Sequence, residues 1–195
     1  MGRLSGAMLM AYQSGQELEP SAAGLARVWP EADSAAFRRA MREFASGVTI
    51  IAAGEGEARN GCTATSVCSL SLDPPTLLVC LDRASATLAT LRASGVFGVS
   101  VLAADQAALA ERFAGRDGVR GASRFAAGKW TGLITGAPLL QGAVAHIDCC
   151  VEETIERHTH AIVIGRVVMA VVTPARPLAH WRGQSAPLYL ADFRA

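Results

Sequence analysis

Charge is scarce in this sequence and nearly balanced. Lysine and arginine total 18 and aspartate and glutamate 17 in 195 residues, a formal net charge of +1. No long basic stripe appears, so nucleic acid is excluded as the first partner to consider. No apolar run is long enough to cross a bilayer, which argues against a membrane span. The cysteines are five, an odd number without CxxC spacing: Cys62, Cys68, Cys80, Cys149 and Cys150. That excludes a disulfide framework and fits free, buried thiols in a reduced, cytoplasmic setting. The first fifteen residues, MGRLSGAMLMAYQSG, hold one arginine and an apolar patch broken by Gly6. The patch is too brief for a good signal peptide, and Gly6 stands where a myristoylation pattern wants Ser or Thr.

What is abundant is apolar surface. The composition is 51% hydrophobic and 18% charged, which excludes a disordered chain and leaves material for a core and a subunit interface. Residues 1–30 read as an ill-defined N-terminal arm, and residues 31–195 as one domain.

The stretch Asn60 to Leu81, NGCTATSVCSLSLDPPTLLVCL, organises that domain. Its first half is small and hydroxylated: Gly61, Thr63, Ala64, Thr65, Ser66, then Ser69 and Ser71. Small side chains let a ligand approach the backbone, and hydroxyls offer hydrogen bonds. An ordinary Ser/Thr-rich loop between strands has the same composition. Asp73-Pro74-Pro75 stiffens the turn before Leu77 to Leu81, an apolar run of strand length.

Along the chain, Ser34 can cap a helix reaching Ser46, with Phe37, Met41 and Phe44 on one face and Arg38, Arg39 and Arg42 elsewhere. Gly47 is placed to end it. Val48 to Ala53 reads as a strand, followed by a hairpin turn at Gly54 to Glu57. Gly54 and Gly56 lack the third glycine and the following helix of a dinucleotide fingerprint. Ser85 can cap a helix that ends at Gly95. With Arg83 and Thr87 nearby, that helix start is either a phosphate site or an ordinary cap beside a solvated arginine. Val96 to Leu102 reads as a strand and Asp105 to Phe113 as a helix. The glycine-rich segment Ala114 to Gly136 reads as a mobile loop. In it, Phe125 and Trp130 can cover a ligand or plug the core edge.

From Ala143 the chain alternates. Ala145, Ile147, Cys149, Val151 and Ile155 share one face, and His146, Asp148, Glu152 and Glu156 the other. A second long strand spans His160 to Val172, and Leu188 to Leu190 reads as a last one. Antiparallel strands with a few helices outside predict a mainly β, α+β barrel. His158 and His160 are two apart, a spacing open to metal ligation, but no third ligand matches. Ser66 and Ser71 lie outside any G-x-S-x-G elbow, and Asp73 reads as a turn former.

Several segments in order resemble the flavin reductase family with the FMN-binding split-barrel fold. They are FASGVTII (Phe44 to Ile51), Thr63-Ala64-Thr65-Ser66, Ser69-Leu70-Ser71-Leu72-Asp73-Pro74-Pro75, DRASAT (Asp82 to Thr87) and HAIVIG (His160 to Gly165). The resemblance runs from about Phe37 to Gly183. It implies an antiparallel split β-barrel of the FMN-binding type and NADH- or NADPH-dependent reduction of FMN or FAD. It also implies a homodimer that supplies reduced flavin to a partner monooxygenase. By the same resemblance Thr63, Ala64, Thr65, Ser66, Ser69 and Ser71 hold the flavin ring and ribityl chain. Arg83, Ser85 and Thr87 hold the phosphate, and His160, with Phe125 as a lesser candidate, places the nicotinamide. The family's Gly-Asp before the histidine is here His158-Thr159, and Ser185 stands where an aromatic is expected. Those departures keep a second reading, a non-catalytic flavin-binding protein.

Overall fold

The computed structural model describes residues 31–189. The expected arm, residues 1–30, lies outside them, as does Leu190. In chain order the helices are α1 (Ser34–Met41), α2 (Ala86–Ser94) and α3 (Ala107–Phe113). The strands are β1 (Ser46–Gly47), β2 (Thr49–Ala53), β3 (Asn60–Ala64), β4 (Val67–Leu72), β5 (Pro75–Asp82) and β6 (Val96–Val101). Then come β7 (Trp130–Thr131), β8 (Leu139–Leu140), β9 (Ala145–Arg157), β10 (His160–Val172), β11 (Leu178–Trp181) and β12 (Gln184–Pro187).

Seven strands make one antiparallel sheet in the order β3-β2-β6-β9-β10-β5-β4. Its two edges, β3 and β4, are consecutive in sequence and joined only by Thr65 and Ser66. Three Cα steps of 3.8 Å span at most about 11 Å. The sheet therefore curls until its edges meet at this corner, and the ladder never closes there. That is the expected split-barrel architecture, and it puts the hydroxylated corner at the split.

β2 is buried along its whole length, because its two faces serve two cores. Ile51 and Ala53 pack with Val79, Leu88, Leu91, Phe97 and Val163 inside the curl. Ile50 and Ala52 pack with Leu102, Phe113, Phe125, Leu140 and Leu178 on the outside. α2 plugs the first core through Leu88 and Leu91. Its ends are those expected: Ser85 Oγ accepts from Leu88 N at 3.2 Å, and Gly95 takes φ 68° beyond the last turn.

Other expectations are revised. α1 stops at Met41 rather than Ser46, because Ser46 and Gly47 pair with His180 and Ala179 of β11. Gly56–Ala58 forms a short 3-10 turn in place of a tight hairpin. The last hairpin is β11–β12, so Leu188 and Tyr189 lie beyond the strands. Asp148 is fully buried, although alternation puts it on the wet face. The segment before β8 covers it: Thr135 N donates to Asp148 Oδ2 at 2.8 Å, and the Thr135 hydroxyl binds Oδ1. Among the described residues no helix is long and apolar enough to cross a membrane.

Candidate functional site

The corner of the split opens onto a cleft of about 440 Å³. Thr65 and Ser66 form one wall. Ser66 is fixed from both ends of its residue: Oγ donates to Cys80 O at 2.8 Å, and its carbonyl accepts from Cys80 N at 3.3 Å. The opposite walls come from α1 and the residues after it (Arg38, Met41, Arg42, Phe44, Ala45 and Ser46) and from the β11–β12 hairpin (His180, Arg182 and Gly183). Met41 and Phe44 are largely exposed, so the cleft has apolar surface beside hydroxyls and cations.

The remaining hydroxylated residues of the stretch are placed differently. Thr63 Oγ1 donates to Ala110 O at 2.6 Å and ties β3 to α3, and Ala64 is buried. Ser71 is engaged in its own turn, donating to Asp73 O at 3.0 Å and accepting from Asp73 N at 3.1 Å. Ser69 is exposed on β4, away from the cleft lining.

A second cluster forms where β5 meets β10. Asp82 is the register partner of His160. Arg83 N donates to Thr159 O at 3.0 Å, and Arg83 Nη1 donates to His158 O at 3.1 Å. Arg83 Nη2 lies 2.6 Å from Glu156 Oε2, and Arg92 Nη2 2.8 Å from Glu156 Oε1. Hydrogen bonding from Arg92, and then the charge of Arg83, hold the Glu156 carboxyl below its ordinary range. This antiparallel pair thus unites two motifs more than seventy residues apart, the Arg83–Ser85–Thr87 loop and His160. The loop is also close to the cleft: Cys80, which anchors Ser66, is two residues before Asp82 on β5, about 7 Å along a strand. Thr87 is buried and hydrogen-bonds the Cys62 thiol, whose pKa is pushed up by burial.

His160 begins β10 and is exposed. Its Nδ1 lies 2.8 Å from Thr159 Oγ1. The threonine that replaces the family aspartate therefore supplies a polar neighbour that can orient the ring. His158 takes φ 49° in the turn, so the two histidines do not share a strand face. Among the described residues no group of three or more His, Cys, Asp or Glu is arranged to hold a metal.

Phe125 is 4% exposed. Its ring meets Phe113 edge-on at 5.1 Å and Trp130 at 4.7 Å, with the Arg59 guanidinium 4.9 Å above. The ring lies in the second core, away from the cleft lining. The surrounding segment is tied down by Arg124, whose Nη1 donates to Gly61 O and Nε to Val119 O, both at 2.8 Å. Arg38, Arg42, His180 and Arg182 are cleft residues that sequence reasoning does not assign. The contact that brings the hairpin to this wall, Arg42 Nη2 to Arg182 O, spans 140 residues and has no local signature.

A sequence model of the family described as "Flavin reductase like domain" matches residues 41–189. The chain is 43% identical over 153 residues to "FMN reductase (NADH) RutF 2" of Methylorubrum extorquens (strain PA1), covering 77% of this chain and 88% of that protein. It is 37% identical over 153 residues to "Flavin-dependent monooxygenase, reductase subunit HsaB" of Rhodococcus jostii (strain RHA1), covering 78% and 76%. Among solved structures, the Streptomyces globisporus NADH:FAD oxidoreductase SgcE6 aligns with a TM-score of 0.75 at 33% identity, covering 85% of this chain and 99% of that one.

Proposed function

This chain belongs to the flavin reductase-like domain family, and from that premise we propose that it uses NADH to reduce FMN or FAD and hands the reduced flavin to a partner monooxygenase. One observation carries the reading: the split of the barrel brings the Thr65–Ser66 corner, the Arg83–Thr87 loop and His160 to one end of the sheet. The relatives named above, an NADH-dependent FMN reductase and a monooxygenase reductase subunit, support both the reaction and the partner.

The residues present fit a flavin. Pockets for ligands of this size run about 300–1,000 Å³, and the cleft holds about 440 Å³. Its Met41 and Phe44 side chains suit a planar ring, and Thr65 and Ser66 suit the ring's polar edge. When bound, the nicotinamide supplies a hydride and the flavin accepts it; the protein contributes position and electrostatics. Thr65 and Ser66 orient the ring, while Thr63, Ala64, Ser69 and Ser71 shape and stiffen the strands that present them. Arg83, beside the Ser85-capped start of α2, binds the flavin phosphate, and buried Thr87 supports that turn from inside. His160, oriented by Thr159 Oγ1, hydrogen-bonds the nicotinamide nucleotide. Phe125 contributes by fixing the aromatic cluster rather than by touching the ring.

NADPH is the alternative reductant. A homodimer is supported by the exposed apolar side chains Phe37, Phe44, Leu72 and Val172. The free cysteines support a cytoplasmic site of action. Loss of NADH absorbance on adding FMN or FAD to the purified protein tests the activity. Flavin binding without NADH oxidation would instead establish the non-catalytic reading.

A further inference from the structure

Three guanidinium groups crowd one side of the cleft, and the flavin contacts assigned above use none of them. Arg38 comes from α1, Arg42 from the turn that follows it, and Arg182 from the β11–β12 turn. The placement of Arg42 and Arg182 is enforced. Arg42 Nη2 donates to Arg182 O at 2.6 Å, and Arg182 N donates back to Arg42 O at 3.1 Å. Gly183 makes room for this: a Cβ there would lie 3.0 Å from Arg42 Nη2, and its φ of 83° favours glycine. Glu43 answers the cluster but is taken by Arg182, with Oε2 2.8 Å from both Nε and Nη2. Among the described residues the Arg38 side chain has no ion pair. Among the described residues these three guanidinium groups therefore have one carboxylate ion-paired to them, and this side of the cleft is positive.

Neutral rings do not need such a wall; anions do, and guanidinium matches phosphate oxygens in pairs. FMN's phosphate, which is also the ribityl-side phosphate of FAD's pyrophosphate, already has the Arg83 loop. We propose that Arg38, Arg42 and Arg182 bind the pyrophosphate of the nicotinamide dinucleotide, lying across the cleft from Thr65 and Ser66, so that the protein favours the reduced dinucleotide over the reduced mononucleotide. The identity of the ligand rests on the flavin reductase reading.

Arg38→Gln is the cleanest variant, because among the described residues Arg38 holds no ion pair. Affinity for FMN and FAD is measured by titration, and KM for NADH and for reduced nicotinamide mononucleotide by steady-state kinetics. The expected result is a loss of about tenfold, the scale of one charged hydrogen bond, for NADH, with FMN, FAD and the reduced mononucleotide unchanged. A loss confined to FAD would put the flavin's pyrophosphate on this wall and overturn the assignment to the reductant. Arg38→Lys should restore part of it, and added salt should shrink the difference. Equal changes for mono- and dinucleotides, or none for any, would overturn the proposal. If the wild-type protein neither binds flavin nor oxidises NADH, the flavin reductase reading fails instead. The wall is then tested with ADP alone: binding weakened by Arg38→Gln supports it, and absent or unaffected binding overturns it.

Discussion

Replacing Arg83 by alanine separates a phosphate contact from a structural one. Its Nη1 donates to His158 O and its Nη2 pairs with Glu156, which leaves the rest of its five N–H donors for a ligand. If it meets the flavin phosphate, Arg83→Ala removes a charge-assisted hydrogen bond worth about 1.5–3 kcal/mol. FMN affinity should then fall by roughly ten- to a hundredfold, at 1.4 kcal/mol per decade. Riboflavin has no phosphate, so its affinity should change by less than about twofold, within the scatter of a neutral surface substitution. The fold should tolerate the change. The Arg83–Glu156 pair is about half exposed on both sides, where ion pairs add little, and Arg92 keeps its own bond to Glu156. Fluorescence titration with both flavins, alongside a melting curve, reads all three quantities. Equal weakening of FMN and riboflavin would refute the reasoning and leave Arg83 as a clamp on the β9–β10 turn.

Three further outcomes are expected. His160→Ala should lower turnover efficiency with NADH by about ten- to a hundredfold with flavin affinity nearly unchanged, while His158→Ala stays nearly silent; the reverse order in steady-state kinetics would show that the turn histidine makes the contact. Gly165→Ala should destabilise the protein by about 1–3 kcal/mol, because a Cβ there would sit 2.4 Å from the fully buried Phe97 ring; an unchanged denaturation midpoint would contradict this. Glu156 has a depressed carboxyl pKa, so its pairing contributes stability above the ordinary carboxylate range near 4.3 and loses it as pH falls through the lowered value. Glu156→Gln should therefore melt below wild type at neutral pH and converge with it in acid; a gap that widens in acid would be the wrong sign.

The elements legible in the sequence are those with local signals. β10 runs from His160 to Val172 as read, because a polar turn precedes a long β-branched run. α2 was legible at both ends, since the Ser85 cap and the Gly95 stop are chemical properties of single residues. What failed was decided at a distance. Asp148 sits at a solvent-facing position by alternation, and only Thr135, thirteen residues earlier, makes its burial tolerable by satisfying both oxygens. α1 has helix-compatible residues to Ser46, but the pairing of Ser46 and Gly47 with β11 takes the chain away. Local propensity yields to a tertiary ladder there.

The candidate site divides along the same line. Hydroxyls and a capped helix start are visible as composition, but an ordinary loop and an ordinary cap look the same, so it is the family resemblance that singles out Thr65, Ser66, Arg83 and Ser85. The topology then gives those four a common place. β3 and β4 lie at opposite edges of one sheet and yet are joined by two residues, so the corner must fall at the split. β4 pairs with β5 and β5 with β10, so the corner, the Arg83 loop and His160 lie on three adjacent strands in that order. Phe125 shows the limit of composition. An aromatic in a glycine-rich segment suits either a lid or a core, and two neighbouring rings, Phe113 and Trp130, with the Arg59 guanidinium decide for the core. Arg38 and Arg42, at the end of α1 and just beyond it, show the opposite limit. On a helical projection they lie off the apolar face, yet the β11–β12 hairpin folds back on α1 and turns that polar face into a cleft wall. A pattern off the apolar face of a helix becomes part of a cleft wall only through a contact between Arg42 and Arg182, which no local rule predicts.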